Sequence, residues 1–434
     1  MNSVIEIRGL GKTYESGLQA LKPMDHIFFR RRGDASGRNI AYRLSAPIER
    51  LQTIVYTQDP VIATDPGGTP LNFLHVVPGA AGTGTIENPY GTLSAALADP
   101  SAGTSIIYTP HGGAFVENVA LVAGAQVLSN GPIQRVQTQF GMTKLPLSGA
   151  GTVFSNLPTI HGNVAMANNS RLSGFSVTGQ VTATGVGGFT IDNTKVTFAA
   201  GDALVITGAS SATLDNLNVQ STVGRGLFLN DSSADVKSLT VANAGGNGVE
   251  ITTTATNRTV TMQNLTVTKA STHGVDVNVT GTGSLTLGIT GTNAVTSTSN
   301  AFDAVLTGGS TGNLDLGLNG ATLTSTAGRG INLDGTAGTG TLFVSSFASN
   351  VIAQATGGGL IANKVTFDAD PTTGAIETVN AGTWTIGANT TPAKVTGDGV
   401  RLIDPTGALN FTTLDIFNST GTGLLVNTKG GGTT

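Results

Sequence analysis

Two acidic residues occupy matching places in two similar short runs, Gly248-Val249-Glu250-Ile251 and Gly274-Val275-Asp276-Val277. In an extended strand the middle residue of an apolar-x-apolar run points away from the side its neighbours bury. On adjacent strands the two carboxyls would stand about 5 Å apart, close to the separation used by paired acids in glycosidic bond cleavage. The same middle position holds Phe228, Asn332 and Arg401 in the runs 226–229, 330–333 and 399–402. A solvated outer face is the plainer expectation for this set. His273, just before Gly274, is expected at a surface turn rather than as a base. Asp192, Asp202, Asp215 and Asp231 lie in or near turns, where Asp bonds its own backbone. Trp384 takes an inward apolar position, which favours core packing over sugar stacking.

The remaining chemistry is sparse. There is no cysteine, so neither a disulfide nor a thiolate metal site exists. The five histidines (26, 75, 111, 161 and 273) are scattered, and no two aspartates are adjacent. On this reading no residue is assigned a catalytic, cofactor-binding or metal-binding role, and no cofactor is expected. Charged residues are 11% of the chain, against roughly 25% in ordinary globular proteins. Hydrophobic residues at 39% and a net charge of −4 exclude the disordered class. No apolar run reaches the length of a membrane helix, and glycine lacks the three-residue period of collagen. Nor does a Thr-x-Thr register persist as an ice-binding face would need.

The elements that must position these side chains repeat. An apolar-x-apolar pair recurs as Phe175/Val177, Val196/Phe198, Leu217/Val219, Leu239/Val241, Leu265/Val267 and Leu287/Ile289. It continues as Leu316/Leu318, Leu342/Val344, Val365/Phe367, Trp384/Ile386 and Leu414/Ile416. The spacing averages about 24 residues, a solenoid period. One such coil cannot bury its own apolar row, but stacked coils about 4.8 Å apart bury the rows as ladders. The predicted fold is therefore all-β, a right-handed parallel β-helix, the hand following from parallel crossovers. A second pair follows glycine at 226, 248, 274, 330, 399 and 423, where a tight corner or left-handed bend would exclude a Cβ. Asn and Thr between strands are expected to stack as polar ladders. Longer steps place insertions near 290–301, 319–327 and 389–396.

Three resemblances sit on the N-terminal side. The run from Phe73 to Gly131 is similar to the opening segment of right-handed β-helix proteins of the pectin-lyase-like class. It implies strands at 73–77, 105–108 and 119–122, and a capping helix over 90–98 with Leu93 and Leu97 on one face. The stretch 41–59 resembles the barrel end of inverse autotransporters, the intimin and invasin class, with strands at 40–44 and 51–56 and a turn at Pro47. Residues 1–25 resemble the start of ABC-transporter ATPase subunits, through Ile5-Glu6-Ile7-Arg8-Gly9-Leu10, Lys12 and Tyr14. The phosphate-loop pattern at Gly11-Lys12-Thr13 fails because Glu6 stands where its first glycine belongs. Arg32-Gly33-Asp34 is read as a basic turn rather than an integrin ligand.

The chain thus divides into a leader (1–60), a β-helix opening and cap (61–130) and a β-helix body (131–434). The leader has nine basic and six acidic residues, the rest 13 and 20, so no basic face exists for nucleic acid. No signal peptide is visible at the N-terminus. The sequence favours a non-enzymatic extracellular or bacterial outer-surface passenger, an adhesin, stalk or fibre. Its expected partners are a surface glycan or protein, or further copies by end-to-end or side-by-side association. The alternative is a polysaccharide lyase or glycoside hydrolase of the pectin-lyase-like fold; it ranks second because the fold alone does not confer activity.

Overall fold

The computed structural model describes residues 26–31, 38–43, 52–55, 60–149, 154–198, 200–221, 223–390 and 394–428. Residues 1–25, Arg32-Gly33-Asp34 and Pro47 lie outside the described residues. Two compact units emerge, residues 1–159 with 173–175, and residues 160–172 with 176–434.

The first unit holds an antiparallel sheet of His26–Arg31, Arg38–Arg43, Gln52–Val55 and Pro60–Ile62. Strands Asn72–His75, Ser105–Thr109 and Gln126–Ser129 then stack in parallel, with Leu74 over Ile107 and Ile107 over Val127. Phe73, Ile106, Tyr108, Leu128, Val136 and Leu145 form one buried cluster. The helix is Leu93–Leu97, shorter than expected at its start, because Tyr90 instead bridges in parallel to Val76. Thr92 Oγ1 caps it by accepting from Ala95 N, and the Glu117 carboxylate accepts from Leu93 N and Ser94 N. Its buried face, Leu93, Ala96 and Leu97, packs on Ser105–Thr109 and Val119–Ala120. The hairpin Arg135–Thr138/Gly141–Lys144 belongs to no repeat and was not legible as one.

The second unit is a right-handed parallel β-helix. Leu217 pairs with Leu239 and Leu239 with Leu265, one above another as the repeat requires. The inward ladder Val196, Val219, Val241, Val267, Val295, Leu323, Ile352, Ile386 and Ile416 runs through the unit. Its spacing grows from 22 residues (Val219 to Val241) to 28 (Val295 to Leu323), so the coils lengthen along the chain.

The sequence repeat merged two neighbouring ladders. Leu287 does not follow Leu265; it stacks on Val260, and Leu316, Val344 and Phe367 continue that second row. Both rows alternate alike on either side of a bend, where Asn193, Asn216 and Asn264 adopt φ of 48°, 50° and 55°. Asn tolerates this left-handed region better than most residues, and Asn216 Nδ2 donates to Asn193 Oδ1 at 2.7 Å, a rung of the expected polar ladder. Two expected insertions are accordingly strands, Asn293–Ser297 and Ala321–Ser325.

The second sheet bears the glycine-led pairs. Leu204, Leu227, Val249, Val275, Phe302, Ile331, Leu360, Val400 and Leu424 stack in register. At 226, 248, 274, 330 and 399 the glycine is needed for close approach rather than for a left-handed bend, whereas a Cβ on Gly423 would meet nothing within 4 Å. A Cβ on Gly248 would lie 2.6 Å from both the Gly274 carbonyl oxygen and Val267 Cγ1. Trp384 is fully buried, donates Nε1–H to Phe347 O at 2.8 Å and packs on the Phe347 ring.

Candidate functional site

Strand alternation sends the middle residue of each second-sheet run outward. Parallel register therefore stacks Phe228, Glu250, Asp276, Asp303, Asn332, Ile361 and Arg401 in one column. A second column comes from the residue before each glycine, or before Ala301 in the one run without it, because each backbone N–H of the following residue bonds the carbonyl of the coil above. It contains Arg225, Asn247, His273, Asn300, Arg329, Gly358 and Asp398.

Carboxyls thus occupy three successive coils, and each has different company. Arg225 Nη1 donates to Glu250 Oε1 at 2.6 Å and Nη2 to Asp202 Oδ2 at 2.6 Å, while its guanidinium lies 3.5 Å above the Phe228 ring. Burial alone would raise the Asp202 pKa, but the hydrogen bonds and charge of Arg225 outweigh it and hold it below the usual range. Asn247 Nδ2 donates to both Glu250 Oε2 and Asp276 Oδ2, at 2.8 Å each. Asn278 Nδ2 donates to Asp276 Oδ1 at 3.0 Å. Asp303, only 8% exposed, accepts from Asn300 Nδ2 at 2.6 Å and Asn332 Nδ2 at 2.7 Å, with no guanidinium among these partners.

Burial pushes the Asp276 carboxyl up to about 6, and the charges of Asp303 and Glu250 act in the same direction. His273 and the Asn278 hydrogen bond oppose this without cancelling it. The outcome is a pair of neighbouring acids in unlike surroundings, one against a guanidinium and one against other carboxyls. That asymmetry separates a proton donor from a charged partner in glycosidic chemistry.

The structure brings Glu250 and Asp276 together as their spacing suggested. His273 lies in the turn before Val275, as expected, and stands beside Asp276, with its backbone N–H donated to Asn247 Oδ1 at 3.1 Å. Asp303 escaped the sequence reading because Ala301 stands where the other runs have glycine; the signal was the Phe302-Asp303-Ala304 alternation. Asn247 and Arg225 escaped because they vary in type along their column. The other aspartates are dispersed: Asp192 receives Arg171 Nε and Nη2, and Asp231 Oδ1 accepts from Thr254 N and Ala255 N. Among the described residues no group of three or more His, Asp or Glu could hold a metal ion.

A family model described as "Right handed beta helix region" matches residues 148–294. No curated protein matches the sequence. A solved structure, the catalytic domain of a GH87 alpha-1,3-glucanase in complex with nigerose, is similar at 12% identity and a TM-score of 0.35, over 80% of this chain and 67% of that one.

Proposed function

We propose that the chain is an extracellular carbohydrate-active enzyme that binds a glycan along the outer face of its second sheet and cleaves it by acid–base chemistry. The observation that carries this reading is the Glu250–Asp276 pair, joined through Asn247 and set in unlike surroundings, Glu250 against the Arg225 guanidinium and Asp276 buried beside Asp303 with its pKa raised. Asp276, protonated, gives its proton to the glycosidic oxygen as the bond breaks. Glu250, as a carboxylate, attacks the anomeric carbon; water then releases the sugar, with Asp276 taking the proton from that water. Carboxyls on adjacent strands, about 4.8 Å apart, match the roughly 5–5.5 Å of retaining hydrolysis. The test is reducing-end release by the pure chain from a panel of polysaccharides. Glu250→Gln and Asp276→Asn are expected to abolish release, and product anomers followed by NMR to retain configuration. Full activity in both variants would refute the reading.

A second reading, a non-enzymatic surface passenger or adhesin, is favoured by one observation. Ile133, Phe140 and Met142 stand 58%, 58% and 57% exposed on and beside the hairpin Arg135–Thr138/Gly141–Lys144, an apolar patch suited to a protein ligand. No turnover on any glycan, together with concentration-dependent sedimentation that Phe140→Ser removes, would support it instead.

A further inference from the structure

Beyond the carboxyls the same face changes character. In the column of residues preceding the strands, Gly358 falls between Arg329 and Asp398. Its φ is +108°, and a Cβ there would come within 3.0 Å of Ile361 Cδ1 and 3.3 Å of the Asp398 carbonyl oxygen. Next to it lies a cleft of about 330 Å³ whose lining includes Arg329, Ile361, Asn363, Asp398 and Arg401, with Gly357 and Gly397 adding no side chains to fill it. That volume lies at the small end of the range for small-molecule sites.

The lining has a consistent chemistry. Ile361, 6% exposed, is the apolar floor. Arg401 stands 3.9 Å from Asp398 Oδ2, too far for a hydrogen bond, and its side chain is 46% exposed. Asp398 Oδ1 already accepts from Thr422 N at 2.9 Å. Arg329 Nη1 donates to Asn332 Oδ1, which leaves the other edge of its fork for a ligand. Asn363 Oδ1 is buried and has no donor among the described residues. Two guanidinium groups and one carboxylate leave one positive charge uncompensated.

We propose that this cleft binds a sugar unit bearing a single negative charge, a carboxylate or a sulfate monoester. The anion sits between Arg329 and Arg401, the ring lies on Ile361, and a hydroxyl donates to Asn363 Oδ1. Arginine is suited to both anions because its planar fork donates two parallel hydrogen bonds. The inference rests on the carbohydrate reading above and specifies the class of glycan. Arg401 lies four coils beyond Asp276 in one column, roughly 19 Å away at the strand spacing. The cleft therefore anchors the chain at a distance from the proposed cleavage point.

The experiment is calorimetric titration of the full chain with tetragalacturonate, a carrageenan tetrasaccharide and maltotetraose as carboxylate, sulfate and neutral probes. One or both acidic probes are expected to bind and maltotetraose not to; which acid binds identifies the group. Arg401→Ala and Arg329→Ala should each weaken binding by about tenfold or more, and Arg401→Lys by less. Equal affinity for the neutral probe, no binding of either acid, or indifference to both Arg401→Ala and Arg329→Ala would overturn the proposal. Arginine-dependent binding of an acid without turnover would uphold the cleft while refuting cleavage, and turnover of neutral glycans alone would do the reverse.

Discussion

Asn247 Nδ2 lies 2.8 Å from Glu250 Oε2 and 2.8 Å from Asp276 Oδ2, so a single amide ties together carboxyls on neighbouring coils. The amide cannot turn over freely, because its Oδ1 accepts from Thr272 Oγ1 at 2.5 Å and from His273 N at 3.1 Å. Its donor side is thereby committed to the acids.

Removing that donor should act on both stability and protonation. Asn247→Ala leaves both carboxylates short of a hydrogen bond and is expected to cost about 1–3 kcal/mol in denaturant unfolding. It also withdraws a bond that favours the charged form, so the Asp276 pKa should rise further. Carboxyl chemical shifts followed through a pH titration would show the change; an unmoved or lowered midpoint would contradict the assignment.

Asp276 also gives the stability a definite pH dependence. Its folded pKa, raised to about 6, exceeds the roughly 3.9 of an unfolded aspartate. The folded state therefore binds this proton more tightly, and the associated stability is present below about pH 4 and lost as pH rises through about 6. The loss is on the order of 3 kcal/mol for a shift of about two units. Asp276→Asn should flatten that part of the profile and stabilise the fold at pH 7. If Asp276 is the proton donor, turnover should fall over the same rise in pH. A wild-type profile matching that of Asp276→Asn between pH 4 and 7 would exclude the shift.

How far the residues announced this arrangement depends on which signal carried it. Gly248-Val-Glu-Ile and Gly274-Val-Asp-Val share spacing, glycine and alternation, so the Glu250–Asp276 register followed directly. Leu217, Leu239 and Leu265 did likewise. The Leu287 row was misplaced because two strands flanking the Asn264 bend carry the same alternation, and a period alone does not say on which side of a bend a pair lies. Asp303 was hidden by one substitution, Ala301 for the glycine. The column of Arg225, Asn247 and His273 was invisible for a different reason. Its members are unlike in type and become neighbours only through the parallel backbone register.

The ladder can be tested by substituting one rung. Leu239 is fully buried between Leu217 and Leu265, while Thr240 beside it faces outward and is half-buried. Leu239→Ala is expected to cost about 2–5 kcal/mol, through lost transfer energy and a cavity the stacked coils cannot close. Thr240→Ala, outside the packed row, should stay within roughly 0.5 kcal/mol. Similar effects from both, measured by chemical denaturation, would mean that the alternation does not define the core.

Trp384 offers a local reading of how the coils melt. It is the single tryptophan of the chain, fully buried, with its Nε1–H bonded to Phe347 O and its ring edge-on to Phe411 at 5.8 Å. Its fluorescence therefore reports one stretch of stacked coils, whereas far-ultraviolet circular dichroism reports every strand. In a solenoid each coil draws stability mainly from its neighbours, so distant coils need not unfold together. The Asn247 region and the Trp384 region are separated by several such contacts. Destabilising the first with Leu239→Ala should shift the dichroism transition while moving the Trp384 transition less. Coincident shifts in both signals would instead require one cooperative block, with coupling that extends well beyond adjacent rungs.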